Sequence, residues 1–138
     1  MGDLAPSLRY LVEYPYGCLE QTLSKTVPLL AAKELTSALG SKDFDAGRAQ
    51  AFLKAGVAKV IRHQQGDGHF SLWPQSQTYP HLTALALWGL GEAKAAGLEV
   101  PASVFDNGLR ALSTWAQRPT SIAPSGEGAT AAMTAFLL

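Results

Sequence analysis

A single cysteine, Cys18, is all that 138 residues provide, which excludes an intrachain disulfide framework and leaves the redox compartment open. Charge is also scarce. Asp, Glu, Lys and Arg make up 16% of the chain, against a usual ~25%, so its helices bury more than one face or dock on something else. Eleven basic and eleven acidic residues cancel, and the balance favours neither nucleic acid nor an anionic membrane surface. No apolar run is long enough to cross a bilayer. Residues 1–6 carry no basic segment leading into an apolar one, so no secretory signal is legible. Pro6 stands where N-myristoylation requires Ser or Thr. His63, His69 and His81 have no third donor at metal-ligand spacing, which leaves no metal site and no cofactor to expect.

What the chain does contain is helical periodicity. Ser7 to Glu13 predicts a short lead-in helix, broken by Pro15 and Gly17. Leu23, Val27, Leu30 and Leu35 predict a helix from about Leu19 to Leu39, with Gly40 as its C-terminal cap and Pro28 as a kink or a lost hydrogen bond. Ser41 or Asp43 can cap the next helix, in which Ala49, Phe52, Leu53, Val57, Val60 and Ile61 recur at helical spacing as far as Gly66. Residues 64–74 read as a turn-rich connector whose Gly66 and Gly68 permit positive φ. A helix from Pro80 to Ala96 is apolar around most of its circumference and is closed by Gly97. Pro101 opens another, carrying Val104, Phe105, Gly108, Leu112 and Trp115. A loop over 119–128 precedes an apolar segment, Ala129 to Leu138, that ends without a polar cap. That ending predicts a helix completed elsewhere, and so a chain that is part of a domain. The period near forty residues suits an all-α array of paired helices.

The chemistry lies in Tyr14-Pro15-Tyr16-Gly17-Cys18-Leu19-Glu20-Gln21-Thr22. A thiol and a carboxamide at i and i+3 share one helical face. Attack of the sulfur on the Gln21 carbonyl, with loss of ammonia, would give an internal thioester. Such a group is a stored acyl donor, because a free thiol ionises near pH ~8.5 and its thiolate leaves readily. The plain alternative is a small buried hydrophobe with an inert thiol in a helical scaffold. A Cys–His hydrolase would leave the glutamine unexplained.

The same stretch, with Pro28-Leu29-Leu30, closely resembles the thioester region of bacterial alpha-2-macroglobulins. Leu19 stands where the vertebrate relatives have Gly. Gln65-Gly66-Asp67-Gly68-His69-Phe70-Ser71-Leu72-Trp73 is similar to the connector of these domains, and His81-Leu82-Thr83-Ala84 falls where the family usually has Trp-Leu-Thr-Ala. The likeness covers roughly residues 10–118. The connector also resembles repeats of terpenoid cyclases and related toroids, but no Asp-Asp cluster accompanies it here.

This resemblance implies an α/α toroid of helical hairpins, present as a partial ring, with residues 1–138 as a partial thioester domain truncated at its C-terminal end. It implies that Cys18 carries the acyl group donated by Gln21 in a single-use protease inhibitor. Tyr14 and Tyr16 would shield the thioester, and Pro15 and Gly17 would set the turn that presents Cys18. Glu20 points away from the reactive face and takes no catalytic role. His81 is expected to pack, and His63 and His69 to be structural or solvated. The histidine that attacks the thioester in some family members would fall at or beyond residue 138. The expected partners are target proteases, trapped covalently through lysine amines, and the neighbouring domains of a parent protein in the periplasm or at the cell surface. A truncated ring also exposes apolar faces through which it can self-associate.

Overall fold

The computed structural model describes residues 17–39 and 46–117. Four helices dominate: α1 (Leu19–Leu39), α2 (Ala46–Ile61), α3 (Pro80–Ala95) and α4 (Ala102–Gln117). Helix α1 runs unbroken through Pro28, whose ring is exposed. The lead-in helix over 7–13, the caps at Gly40, Ser41 and Asp43, the loop over 119–128 and the segment 129–138 lie outside the described residues.

The helices pair as two antiparallel hairpins. In the first, the Lys33 Nζ donates to Gln50 Oε1 at 2.7 Å, while Thr26 packs against Gly56. Higher numbers on α1 therefore meet lower numbers on α2. In the second, Leu87 packs on Gly108 and the Lys94 ammonium sits 5.3 Å from the centre of the Phe105 ring. Between hairpins, Leu23 and Val27 of α1 face Gly89 of α3, and the Glu20 carboxylate at the start of α1 acts electrostatically on His81 at the start of α3. Helices α1 and α3 are thus parallel, with both N-termini at one end. This is the repeating geometry of an α/α toroid, as the sequence predicts.

Burial follows the composition of each helix. In α3, Leu82, Thr83, Ala86, Leu87, Gly89, Leu90 and Ala93 are all buried, because its neighbours cover several sides. In α4 the buried set is Val104, Gly108, Ala111 and Trp115, a single stripe at helical spacing that leaves the other face wet. Gly97 ends α3 with φ +83. Its N–H reaches the Lys94 carbonyl, and the Leu98 N–H reaches that of Ala93, both at 3.0 Å. These are the paired bonds of a Schellman cap, with Leu98 buried beneath it.

The connector differs from the expected turn-rich coil. Phe70–Ser71 (β1) and Thr78–Tyr79 (β2) form an antiparallel ribbon, pairing Phe70 with Tyr79 and Ser71 with Thr78. Two-residue strands are too short for side-chain alternation to register, and backbone pairing alone defines them. Helix α2 also stops at Ile61, short of Gly66. The chain tightens there through His63 N–H to Val60 and Gln64 N–H to Ile61, both 3.0 Å, which turns His63 into the core. Of the two connector glycines, Gly68 takes positive φ.

Candidate functional site

The reactive pair sits where α1 begins. Cys18 immediately precedes the first helical residue, Leu19, so it occupies the N-cap position and Gln21 is the third residue of the helix. A residue there reaches back to the N-cap amide. Gln21 does so: the Cys18 N–H donates to Gln21 Oε1 at 3.2 Å. The donor fixes the orientation of the carboxamide, oxygen inward and nitrogen outward, because an N–H needs an acceptor. Cys18 is 8% exposed, whereas Gln21 is exposed. One partner is sheltered and the other faces solvent.

Threonines hold the turn. Both the N–H and the hydroxyl of Thr22 donate to the Cys18 carbonyl, each at 2.9 Å. One turn on, the Thr26 hydroxyl donates to the Thr22 carbonyl at 2.8 Å. Gly17 turns its missing side chain toward the pair, since a Cβ there would stand 3.4 Å from Gln21 Cβ and 3.6 Å from Oε1. The structure therefore brings together Cys18, Gln21 and Gly17 among the predicted residues. Tyr14, Pro15 and Tyr16 lie outside the described residues.

The connector supports this turn from below. The Leu19 N–H donates to the Leu72 carbonyl at 2.9 Å, and the segment leading to Leu72 is locked by buried histidines. His63 Nδ1 lies 3.1 Å from the Ser71 carbonyl, so the proton sits on Nδ1. His69 Nδ1 lies 3.0 Å from Thr83 Oγ1. That hydroxyl also accepts from the Phe70 N–H at 2.9 Å and donates to the Tyr79 carbonyl at 2.9 Å. With its single proton committed, it accepts from His69, which is likewise protonated at Nδ1. Both imidazoles are buried and structural. Burial pushes both pKa values down; the Ser71 carbonyl opposes this at His63, and Asp67 opposes it at His69.

His81 is half-buried at the start of α3, its ring 5.5 Å from that of Tyr79 and tilted by 43°. Burial lowers its pKa, and the nearby Glu20 carboxylate works against that. Its Nδ1 is covered and has no hydrogen-bond partner among the described residues, in keeping with a ring that packs in an aromatic position. Glu20 is exposed in the first turn of α1, where a carboxylate meets the positive end of the helix. Among the described residues, no cluster of metal-ligating side chains occurs. A pocket of about 300 Å³ opens between the connector and α4, lined by Asp67, His69, Asn107, Arg110 and Trp115. It does not reach Cys18.

Sequence reasoning missed the threonine ladder and the histidine locks. Thr22 and Thr26, spaced i and i+4 behind Cys18, were the legible signal for the first. Nothing local to His63 or His69 announces Ser71 or Thr83.

A model of the A-macroglobulin TED domain matches residues 1–122. The chain belongs to that family. Alpha-2-macroglobulin of Escherichia coli K12 is 31% identical over 119 residues, 85% of this chain and 7% of the relative. Thioester-containing protein 1 of Anopheles gambiae (allele S3) is 29% identical over 104 residues, 75% of this chain and 8% of the relative. Among solved structures, Salmonella alpha-2-macroglobulin reacted with methylamine superposes with a TM-score of 0.79 at 31% identity, over 97% of this chain and 9% of that one. The chain thus spans less than a tenth of the length of these relatives.

Proposed function

We propose that Cys18 and Gln21 of this TED domain condense to an internal thioester, and that the thioester serves an alpha-2-macroglobulin-like protease trap. The observation that carries the reading is the 3.2 Å bond from the Cys18 N–H to the Gln21 carboxamide oxygen, at the head of helix α1 in a chain of this family. The Cys18 sulfur attacks the Gln21 carbonyl carbon, the C–S bond forms and nitrogen departs as ammonia. Later an amine, such as a lysine of a target protease, attacks the same carbon. The C–S bond breaks, the sulfur leaves as thiolate and the nitrogen gives up its proton. An amide to the attacker and a free thiol remain.

The group is consumed, so the protein acts once per molecule and is not a turnover enzyme. Support comes from the relatives: a macroglobulin that reacts with methylamine and a protein named for its thioester. Residues 1–138 then form part of a thioester domain, other domains of the parent flank it, and the parent works in the periplasm or at the cell surface. Tyr14 and Tyr16 shield the bond, and Pro15 helps set the turn. No cofactor enters the chemistry.

Intact mass of the freshly purified chain tests this, with and without methylamine. A mass short by one ammonia, regained as the methylamide with a newly alkylatable Cys18, supports the trap. Full mass and a free thiol from the outset support an inert buried cysteine and overturn the reading for this chain.

A further inference from the structure

We infer that the backbone N–H of Cys18 is the oxyanion donor for both closing and opening the thioester, an assignment that rests on the thioester reading above. The carbonyl attacked in each step is that of Gln21. Its oxygen already accepts from the Cys18 N–H at 3.2 Å. In each step addition to the carbonyl carbon moves a full negative charge onto that oxygen, and collapse returns it. In closing, the C–N bond breaks and ammonia takes a proton as it leaves. In opening, the C–S bond breaks and Cys18 leaves as thiolate while the amine loses its proton.

Three features of the turn favour this role. The contact is long for a neutral amide pair, whose usual N···O distance is about 2.9–3.0 Å. It can therefore shorten as charge builds, which gives stabilisation in the transition state that the ground state lacks. Donor and leaving group belong to one residue, so the N–H and the sulfur are separated by the single χ1 torsion of Cys18 and little reorganisation is needed. The donor also stands at the N-terminal end of α1, whose aligned peptide dipoles favour negative charge there.

The same bond sets direction. With the oxygen held by the Cys18 N–H, ammonia departs from the exposed residue of the pair. Gly17 faces the carboxamide without a side chain, so this position adds no bulk against the carbonyl. A helix cap alone accounts for the hydrogen bond but predicts no effect on the rate at which the acyl group transfers.

The test is the full chain made by semisynthesis with Cys18 replaced by its α-hydroxy analogue, which keeps the thiol and substitutes an ester oxygen for the N–H. Leu98→Ala, a core change beneath the cap at the far end of α3, serves as a control for lost stability. Opening of the closed thioester by methylamine is followed by thiol release. The expected result is opening slowed about a hundredfold in the ester variant, with little change in Leu98→Ala. Equal rates for the ester variant and the unsubstituted chain overturn the assignment, as does equal slowing in the two variants. If the ester variant does not close or fold, the Gly17 carbonyl is replaced by a thiocarbonyl, which keeps the cap and makes the Cys18 N–H a stronger donor. Faster opening by methylamine then supports the assignment, and an unchanged or slower rate overturns it. Failure of the unsubstituted chain to lose ammonia is a different outcome, because it removes the thioester itself and the assignment with it.

Discussion

The backbone N–H of Leu19 donates to the carbonyl of Leu72 at 2.9 Å, so the residue after the candidate nucleophile is tied to a connector more than fifty positions away. That connector is itself held by buried polar contacts, and Thr83 is where they converge. Its hydroxyl accepts from the Phe70 N–H and from His69 and is fully buried. Thr83→Val keeps the shape but leaves two buried donors without an acceptor. Each orphaned donor costs about 1–3 kcal/mol, so a loss of about 2–6 kcal/mol is expected. Urea unfolding followed by circular dichroism measures it. Thr83→Ser, which restores the oxygen, should recover most of the loss; equal destabilisation by both variants would show that the methyl group and not the hydroxyl matters.

Gly68 and Gly66 should answer an alanine scan very differently. At Gly68, φ is +86 and a Cβ would stand 2.5 Å from the Asn107 backbone carbonyl oxygen, which cannot swing aside as a side chain would. Backbone strain and overpacking together predict a cost of about 2–4 kcal/mol for Gly68→Ala. At Gly66 nothing among the described residues lies within 4 Å of the added carbon, and Gly66→Ala should change stability by no more than about 0.5 kcal/mol. Paired denaturation midpoints decide it. Comparable values for the two variants would mean that the connector does not press on α4 as the geometry requires.

Much of this architecture is legible in the chain because its signals are local. The apolar girdle of Pro80 to Ala95, the Gly97 stop and the stripe through Val104, Gly108, Ala111 and Trp115 are properties of consecutive residues, and the helices form where those residues predict. The Cys18–Gln21 turn is equally local, since spacing alone brings the two side chains to one face. The rest depends on distance. Ser71 and Thr83 are ordinary polar residues until folding places them against His63 and His69, and the ribbon of Phe70–Ser71 with Thr78–Tyr79 exists only through its pairing. Helix α2 ends early for the same reason, because a tertiary bond draws His63 inward against a periodicity that would carry on.

The parallel packing of α1 on α3 makes its own prediction. A Cβ at Gly89 would lie 2.5 Å from Leu23 Cδ2, and Leu23 is buried at 3% exposure, with little room to turn away. Gly89→Ala gains helix propensity but must displace Leu23, and overpacking of this kind costs about 1–3 kcal/mol. Gly91 offers the contrast within the same helix, because a Cβ there meets nothing within 4 Å among the described residues. Gly91→Ala should stabilise by about 0.5–1 kcal/mol. Thermal unfolding of the two variants should move in opposite directions, and a stabilised Gly89→Ala would contradict the close contact between α1 and α3.

Acid should weaken the fold through the two buried imidazoles. Burial is the largest cause of the lowered pKa at both His63 and His69, against an ordinary value of 6.5. Below that value the unfolded chain takes up protons that the folded chain still refuses, so stability falls with falling pH. Well above 6.5 both states are neutral, and the contribution of the two rings is fully present. At His63 the positive charges of Lys59 and Arg62 act in the same direction as burial, while the Ser71 carbonyl opposes them. The expected result is a urea midpoint that is level above neutrality and declines from pH 6.5 downward. His63→Asn supplies a neutral amide that can donate to the same Ser71 carbonyl and cannot titrate. Its midpoint should therefore fall less steeply over that window than the unsubstituted chain's, and an unchanged slope would show that His63 takes up no additional proton on unfolding.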